Sequence, residues 1–221
     1  MRISGLVRMV LAVGGSFALF GQVASANLLT NGDFSAGNTG FTTAYSFASA
    51  NDCWPEGSYD IVTNPYNCHS LWYSFGDHTT GTGNMMVVNG APSSGVAVWS
   101  ETVNVQANSQ YVFSGWVTSV YPASAAQLEF DVNGSPVGSV FTPSLTPGQW
   151  QQFTVTWNSG SNASATLSII DQNIIRGGND FALDDLSFVD PVPEPGSVVL
   201  LSLALACVLI PGRRGSAGLL R

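Results

Sequence analysis

Between residues 27 and 190 apolar and polar positions alternate in short runs, and no stretch follows the helical period. Leu128-Glu129-Phe130-Asp131-Val132 puts its apolar side chains on one face, and Asn133-Gly134 follows as a two-residue hairpin turn. The run Gln151 to Trp157 alternates as well, with Phe153, Val155 and Trp157 sharing a face. Trp99, Glu101, Val103 and Val105 share another, and Tyr111 and Phe113 pair on the next strand. Met85 to Asn89 reads as a strand, as do the run through Ala165, Leu167 and Ile169 and the closing segment Phe181 to Val189. Thr, Val, Ser and aromatic residues dominate these runs, as half-buried pleated surfaces favour. Many short strands without crossover helices predict an all-β fold, a single antiparallel β-sandwich or jelly roll. Trp99 and Trp157 belong to its core.

Charge changes the picture at the ends. Of 221 residues only 9% are charged, the net charge is -8, and all six basic residues are arginines. Only Arg176 lies in the middle; the others are Arg2, Arg8, Arg213, Arg214 and Arg221. Residues 27–190 therefore hold thirteen carboxylates against one arginine and no lysine. Nucleic acid is excluded as a partner, because it demands clustered cations to neutralise phosphates. The acidic domain favours solubility and divalent cations.

The basic ends read as addresses. Arg2 and Arg8 precede an apolar run from Met9 to Phe20 and then Ala24-Ser25-Ala26. That order predicts a secretory signal peptide over residues 1–26, with the mature chain starting at Asn27. At the other end Val192, Pro193, Glu194 and Pro195 precede an apolar stretch (about 197–211) and then Arg213 and Arg214. The prolines make a stiff extended linker, and the arginines would stay cytoplasmic beside a membrane helix. An ordinary C-terminal anchor would share these physical features. The order of parts over 191–221 closely resembles the PEP-CTERM sorting signal of Gram-negative bacteria. The resemblance implies cleavage near Pro193-Glu194-Pro195 by an exosortase-type membrane protease and release to the cell surface or matrix, in bacteria that make exopolysaccharide.

Asn31-Gly32-Asp33-Phe34 opens the domain and Phe181-Ala182-Leu183-Asp184-Asp185-Leu186-Ser187-Phe188 closes it. The pairing resembles galactose-binding-like jelly rolls found in many carbohydrate-binding modules. In these the first loop and the last strand lie side by side, often around a structural calcium. The resemblance implies Asn31, Asp33 and Asp184 as calcium ligands. Ser35 stands where the family usually carries a Glu ligand, leaving Asp33 to substitute.

Other candidates come from the residues themselves. Cys53 and Cys68 form an even pair in an exported domain and read as a disulfide; a metal site or a reactive thiol would be the alternatives. The loop from Gly76 to Asn84 contains Asp77 and His78. It reads either as a turn whose Asp and Thr side chains satisfy their own backbone, or as a ligand contact. Trp54, Tyr66, Trp72 and Tyr73 cluster around the cysteine pair, where strands are less evident, and could stack on sugar rings, with Glu56 accepting hydroxyl hydrogen bonds. No nucleophile elbow, zinc-protease or phosphate-loop motif is present. Nothing singles out a glycosidase pair among Glu56, Glu101 and Glu129. The expectation is a non-catalytic surface protein that binds matrix or surface polysaccharide. A structural or adhesive matrix protein with protein partners is the second reading, and a polysaccharide-active enzyme the third.

Overall fold

The structure, a computed structural model, describes residues 25–48, 52–90 and 93–190. The predicted signal peptide, save its last two residues, and the sorting segment 191–221 lie outside the described residues. Ten strands are formed: β1 (Ser46–Phe47), β2 (Ser58–Val62), β3 (Met85–Asn89), β4 (Ala97–Asn104), β5 (Gln110–Ser119), β6 (Leu128–Val132), β7 (Ser135–Pro136), β8 (Gln151–Asn158), β9 (Ser164–Asp171) and β10 (Phe181–Val189). One sheet has the order β1-β2-β3-β10-β5-β8 and the other β4-β9-β6-β7. Every pairing is antiparallel except the short parallel one between β1 and β2. The predicted all-β sandwich is the observed fold.

Alternation places the core. Tyr111, Phe113 and Val117 of β5, Phe153 and Val155 of β8, and Phe181, Leu183 and Phe188 of β10 face Trp99, Leu128, Phe130, Leu167 and Ile169 of the smaller sheet. Phe130 and Phe153 meet across the two sheets with ring centroids 4.0 Å apart. Removing such side chains from water supplies roughly 1.5–3 kcal/mol each, which drives the closure of one sheet on the other. Trp157 is only partly buried and packs at the margin of this core. Asn133 and Gly134 both take positive φ, 55° and 73°, and join β6 to β7 as the predicted turn.

The larger sheet is covered on its second face too. Met85 and Val87 of β3, Val62 of β2 and Ala182 of β10 turn away from the sandwich core and meet Cys53, Cys68, Trp72 and Val120 in a separate cluster. All five residues of β3 are therefore buried, although the strand bears only one polar side chain. The cover is the segment around the Cys53–Cys68 disulfide, whose cysteines are fifteen residues apart. Cys53 N–H donates to Cys68 C=O, Asn89 Nδ2 donates to Cys53 C=O at 2.7 Å, and Tyr73 N–H donates to Val120 C=O. These bonds tie both arms of the loop to strands β3 and β5. Strand β2 lies inside this region and was not apparent in the alternation. Its outer positions Ser58 and Asp60 are polar yet buried beneath the cover.

The two chain ends of the sandwich lie side by side. Leu186 N–H donates to Gly32 C=O at 2.8 Å, and Asn27 bridges Leu186 C=O and Phe188 N–H. A Cβ at Gly32 would stand 2.1 Å from Leu186 O, so this approach requires glycine. Strand β10 shifts register between Asp184 and Ser187, and Asp185 takes φ 49° there. The bulge re-aims the carboxylates that precede Leu186.

Candidate functional site

Where the disulfide-held cover meets the ends of the inner strands of the larger sheet, it leaves a cavity of about 290 Å³. It is lined by Trp54, Glu56, His69, Leu71, Trp72 and Asp180, together with Asn89, Tyr121 and Gly177. His69 sits between two indoles, its ring centroid 3.9 Å from that of Trp54 and 4.9 Å from that of Trp72. Trp54 is 55% exposed, whereas Trp72 is 3% exposed. One indole thus offers a face to solvent and the other supports it from behind. Leu71 N–H donates to His69 Nδ1, and burial lowers the imidazole pKa, so His69 is neutral at pH 7 and the stack carries no charge.

Acid supplies the remaining chemistry. Asp180 is buried, accepting from Trp72 Nε1 at 3.2 Å and from Gly90 N–H at 3.3 Å. Burial pushes its pKa up to about 6 against those two bonds, and Glu56 raises it further. Glu56 Oε2 is buried and has no hydrogen-bond partner among the described residues. Behind Asp180, burial pushes Asp171 up to about 6 as well, with the charge of Asp180 adding to the effect.

Of the residues expected at a ligand site, Trp54, Glu56 and Trp72 come together here. Trp72 contributes from the buried layer, where its main contacts are those of the second core. Tyr66 and Tyr73 are about half exposed but do not line the cavity. Asp77 and His78 lie elsewhere. The Asp77 carboxylate accepts from Thr80 N–H, Thr80 Oγ1 and Gly83 N–H, which closes its own turn and holds its pKa low despite burial. His78 stacks on Trp116 at 3.8 Å and its Nδ1 lies 2.7 Å from Asp185 Oδ2. His69, Asn89, Tyr121 and Asp180 were not singled out from the sequence. They come from segments up to 111 positions apart and carry no shared local motif.

The three positions suggested for calcium engage separate partners. Asn31 bonds Gly37 C=O, Thr39 C=O and Ala36 N–H, and Asp33 accepts from Ser35. Asp184, fully buried, accepts from His78 N–H and Asp185 N–H, and burial pushes it up to about 6. Among the described residues no three His, Cys, Asp or Glu side chains are grouped to hold a metal ion.

The xylan-binding CBM22-1 domain of Paenibacillus barcinonensis Xyn10C superposes with a TM-score of 0.52 at 16% identity, over 77% of this chain and 97% of that one. TmCBM61 in complex with β-1,4-galactotriose gives a TM-score of 0.50 at 15% identity, over 75% of this chain and 99% of that one. The fold is the β-sandwich of these modules. In sequence the chain is 27% identical over 226 residues to Exochitinase 1 of Streptomyces olivaceoviridis, covering 96% of this chain. The chain spans 32% of that relative's length. No family model matches the chain.

Proposed function

We propose that this is an exported, non-catalytic protein that binds matrix or cell-surface polysaccharide through the cavity beside Trp54. The observation that carries the reading is the half-exposed Trp54 indole, tilted against His69 at the mouth of a cavity that also presents carboxylates. An apolar ring face beside acceptors suits a pyranose, which has apolar C–H faces and hydroxyl donors at its rim. The sandwich shared with a xylan-binding domain and with a module that holds a galactotriose supports the same reading. The basic and apolar ends support export and sorting by an exosortase-type protease, with many displayed copies raising avidity on a polymer. Co-sedimentation with xylan, galactan, cellulose and chitin tests it. At least one polymer should retain the protein, Trp54→Ala should weaken retention about tenfold or more, and no glycan should be turned over. Undiminished retention by Trp54→Ala would place the binding surface elsewhere.

A further inference from the structure

The cavity presents negative charge, and no cation among the described residues pairs with it. Glu56 and Asp180 both line it, and Asp171 lies close enough behind for its charge and that of Asp180 to oppose each other. Asp52 is close enough to His69 to act on it electrostatically, but the imidazole remains neutral. Arg176 adjoins Gly177 in the lining, yet is solvent-exposed and makes no ion pair with any described residue. Every other lining side chain is aromatic, aliphatic or an amide. The wall thus combines an exposed indole, a neutral imidazole and two carboxylates, one with a buried oxygen that has no donor.

Resting on the glycan reading above, we infer that the ligand is a glycan bearing free amino groups, whose ammonium is held by Glu56 and Asp180 while its ring lies on Trp54. A neutral sugar hydroxyl could donate to Glu56 but would leave the repulsion between the carboxylates in place. An ammonium supplies up to three donors and also the missing charge. The adjacent indole face adds attraction for the same cation. Burial is the main reason that Asp180 is pushed up to about 6, with the charge of Glu56 adding to it, and a cation beside it would favour its charged form. An N-acetylated sugar has lost the cation and adds bulk at the same position.

Three matched tetrasaccharides separate the possibilities: β-1,4-linked glucose, N-acetylglucosamine and glucosamine, titrated calorimetrically into the purified full chain. At pH 6.5 the glucosamine tetramer should bind at least tenfold more tightly than the other two. Its advantage should fall at higher pH as the amine loses its proton. It should fall again below about pH 6 as Asp180 is neutralised, while the neutral tetramers stay nearly flat. Glu56→Gln should remove the advantage of the glucosamine tetramer over the glucose tetramer. Asp33→Asn, which removes the same charge from the first loop, should leave it intact and so exclude general attraction to an acidic protein. Equal affinities, or equal effects of Glu56→Gln and Asp33→Asn, would overturn the inference. Tight Trp54-dependent binding of a neutral tetramer would overturn it and leave the glycan reading standing. Failure of all three and of every polymer in the panel would overturn both.

Discussion

Trp72 donates its indole N–H to Asp180 across 108 positions of sequence, joining the disulfide-held cover to the residue that leads into β10. The same bond fixes the floor of the cavity, because Trp72 supports His69 and His69 supports Trp54. The stability of the second core and the shape of the candidate site are therefore linked.

The disulfide should matter to both. Cross-linking cysteines fifteen positions apart stabilises by roughly 3 kcal/mol in the chain-entropy model. Cys53→Ser with Cys68→Ser should lower Tm by about 6–12 °C and weaken glycan retention, with the far-ultraviolet circular dichroism of the sandwich preserved. Thermal scans of the variant and of the reduced protein check this.

Phe130→Ala should cost more than the loss of any surface aromatic. Its ring is 1% exposed and lies against Phe153 between the sheets, so truncation leaves a void at the centre. A loss of about 3–5 kcal/mol is expected in urea unfolding. Tyr66→Ala, at a half-exposed ring, should cost less than about 1 kcal/mol.

Gly32→Ala tests the meeting of the chain ends. Its Cβ would collide with the Leu186 carbonyl, which belongs to backbone and cannot swing aside. Either the Leu186–Gly32 hydrogen bond breaks or the first loop moves, and a loss of roughly 2–4 kcal/mol should follow. Gly37→Ala meets nothing within 4 Å, and only its φ of 75° opposes the change, so about 1 kcal/mol should be lost.

Stability should rise as pH falls from 7 towards 4.5. Asp171, Asp180 and Asp184 are pushed up to about 6 by burial, above an ordinary value near 3.8. Between those values the folded chain binds more protons than the unfolded one, so the stabilisation is full below about 4 and lost as pH rises through 6. His69 and Asp77 have lowered pKa values and act oppositely, His69 as pH falls below about 6.5 and Asp77 only as pH falls through the ordinary carboxylate range, while Asp60, Glu101 and Asp131 are raised by burial and act with the three. Asp171→Asn keeps an oxygen for the Gln127 and Asn173 N–H groups and removes the buried charge. It should raise stability at pH 7 by on the order of 2 kcal/mol and flatten the pH dependence of Tm.

Strands β5, β6, β8 and β9 were legible because one face of each meets the core, so alternation survives in the residue order. The Asn133-Gly134 turn was legible because few other residue pairs adopt two consecutive positive φ angles. Strand β2 was not, since Ser58 and Asp60 are buried polar positions beneath a layer contributed by a later segment. The same layer explains Trp72. An aromatic near a cysteine pair looks available to a ligand, and only the cover's fold decides that it packs inward while Trp54 stays exposed. Asp77 and His78 are neighbours in sequence, yet one closes a turn and the other leans on Trp116 and Asp185, away from the cavity.

The sequence by itself determined the all-β class, most strand positions and the acidic character of the middle of the chain. These follow from side-chain period, turn chemistry and charge, which are local or additive properties. Only the tertiary structure decided that Asp180 joins Glu56, that His69 lies between Trp54 and Trp72, and that Asn31, Asp33 and Asp184 engage separate partners. Such convergence depends on how the disulfide-tied cover lies across the larger sheet. That placement is set by packing between distant segments, and no periodicity within either segment encodes it.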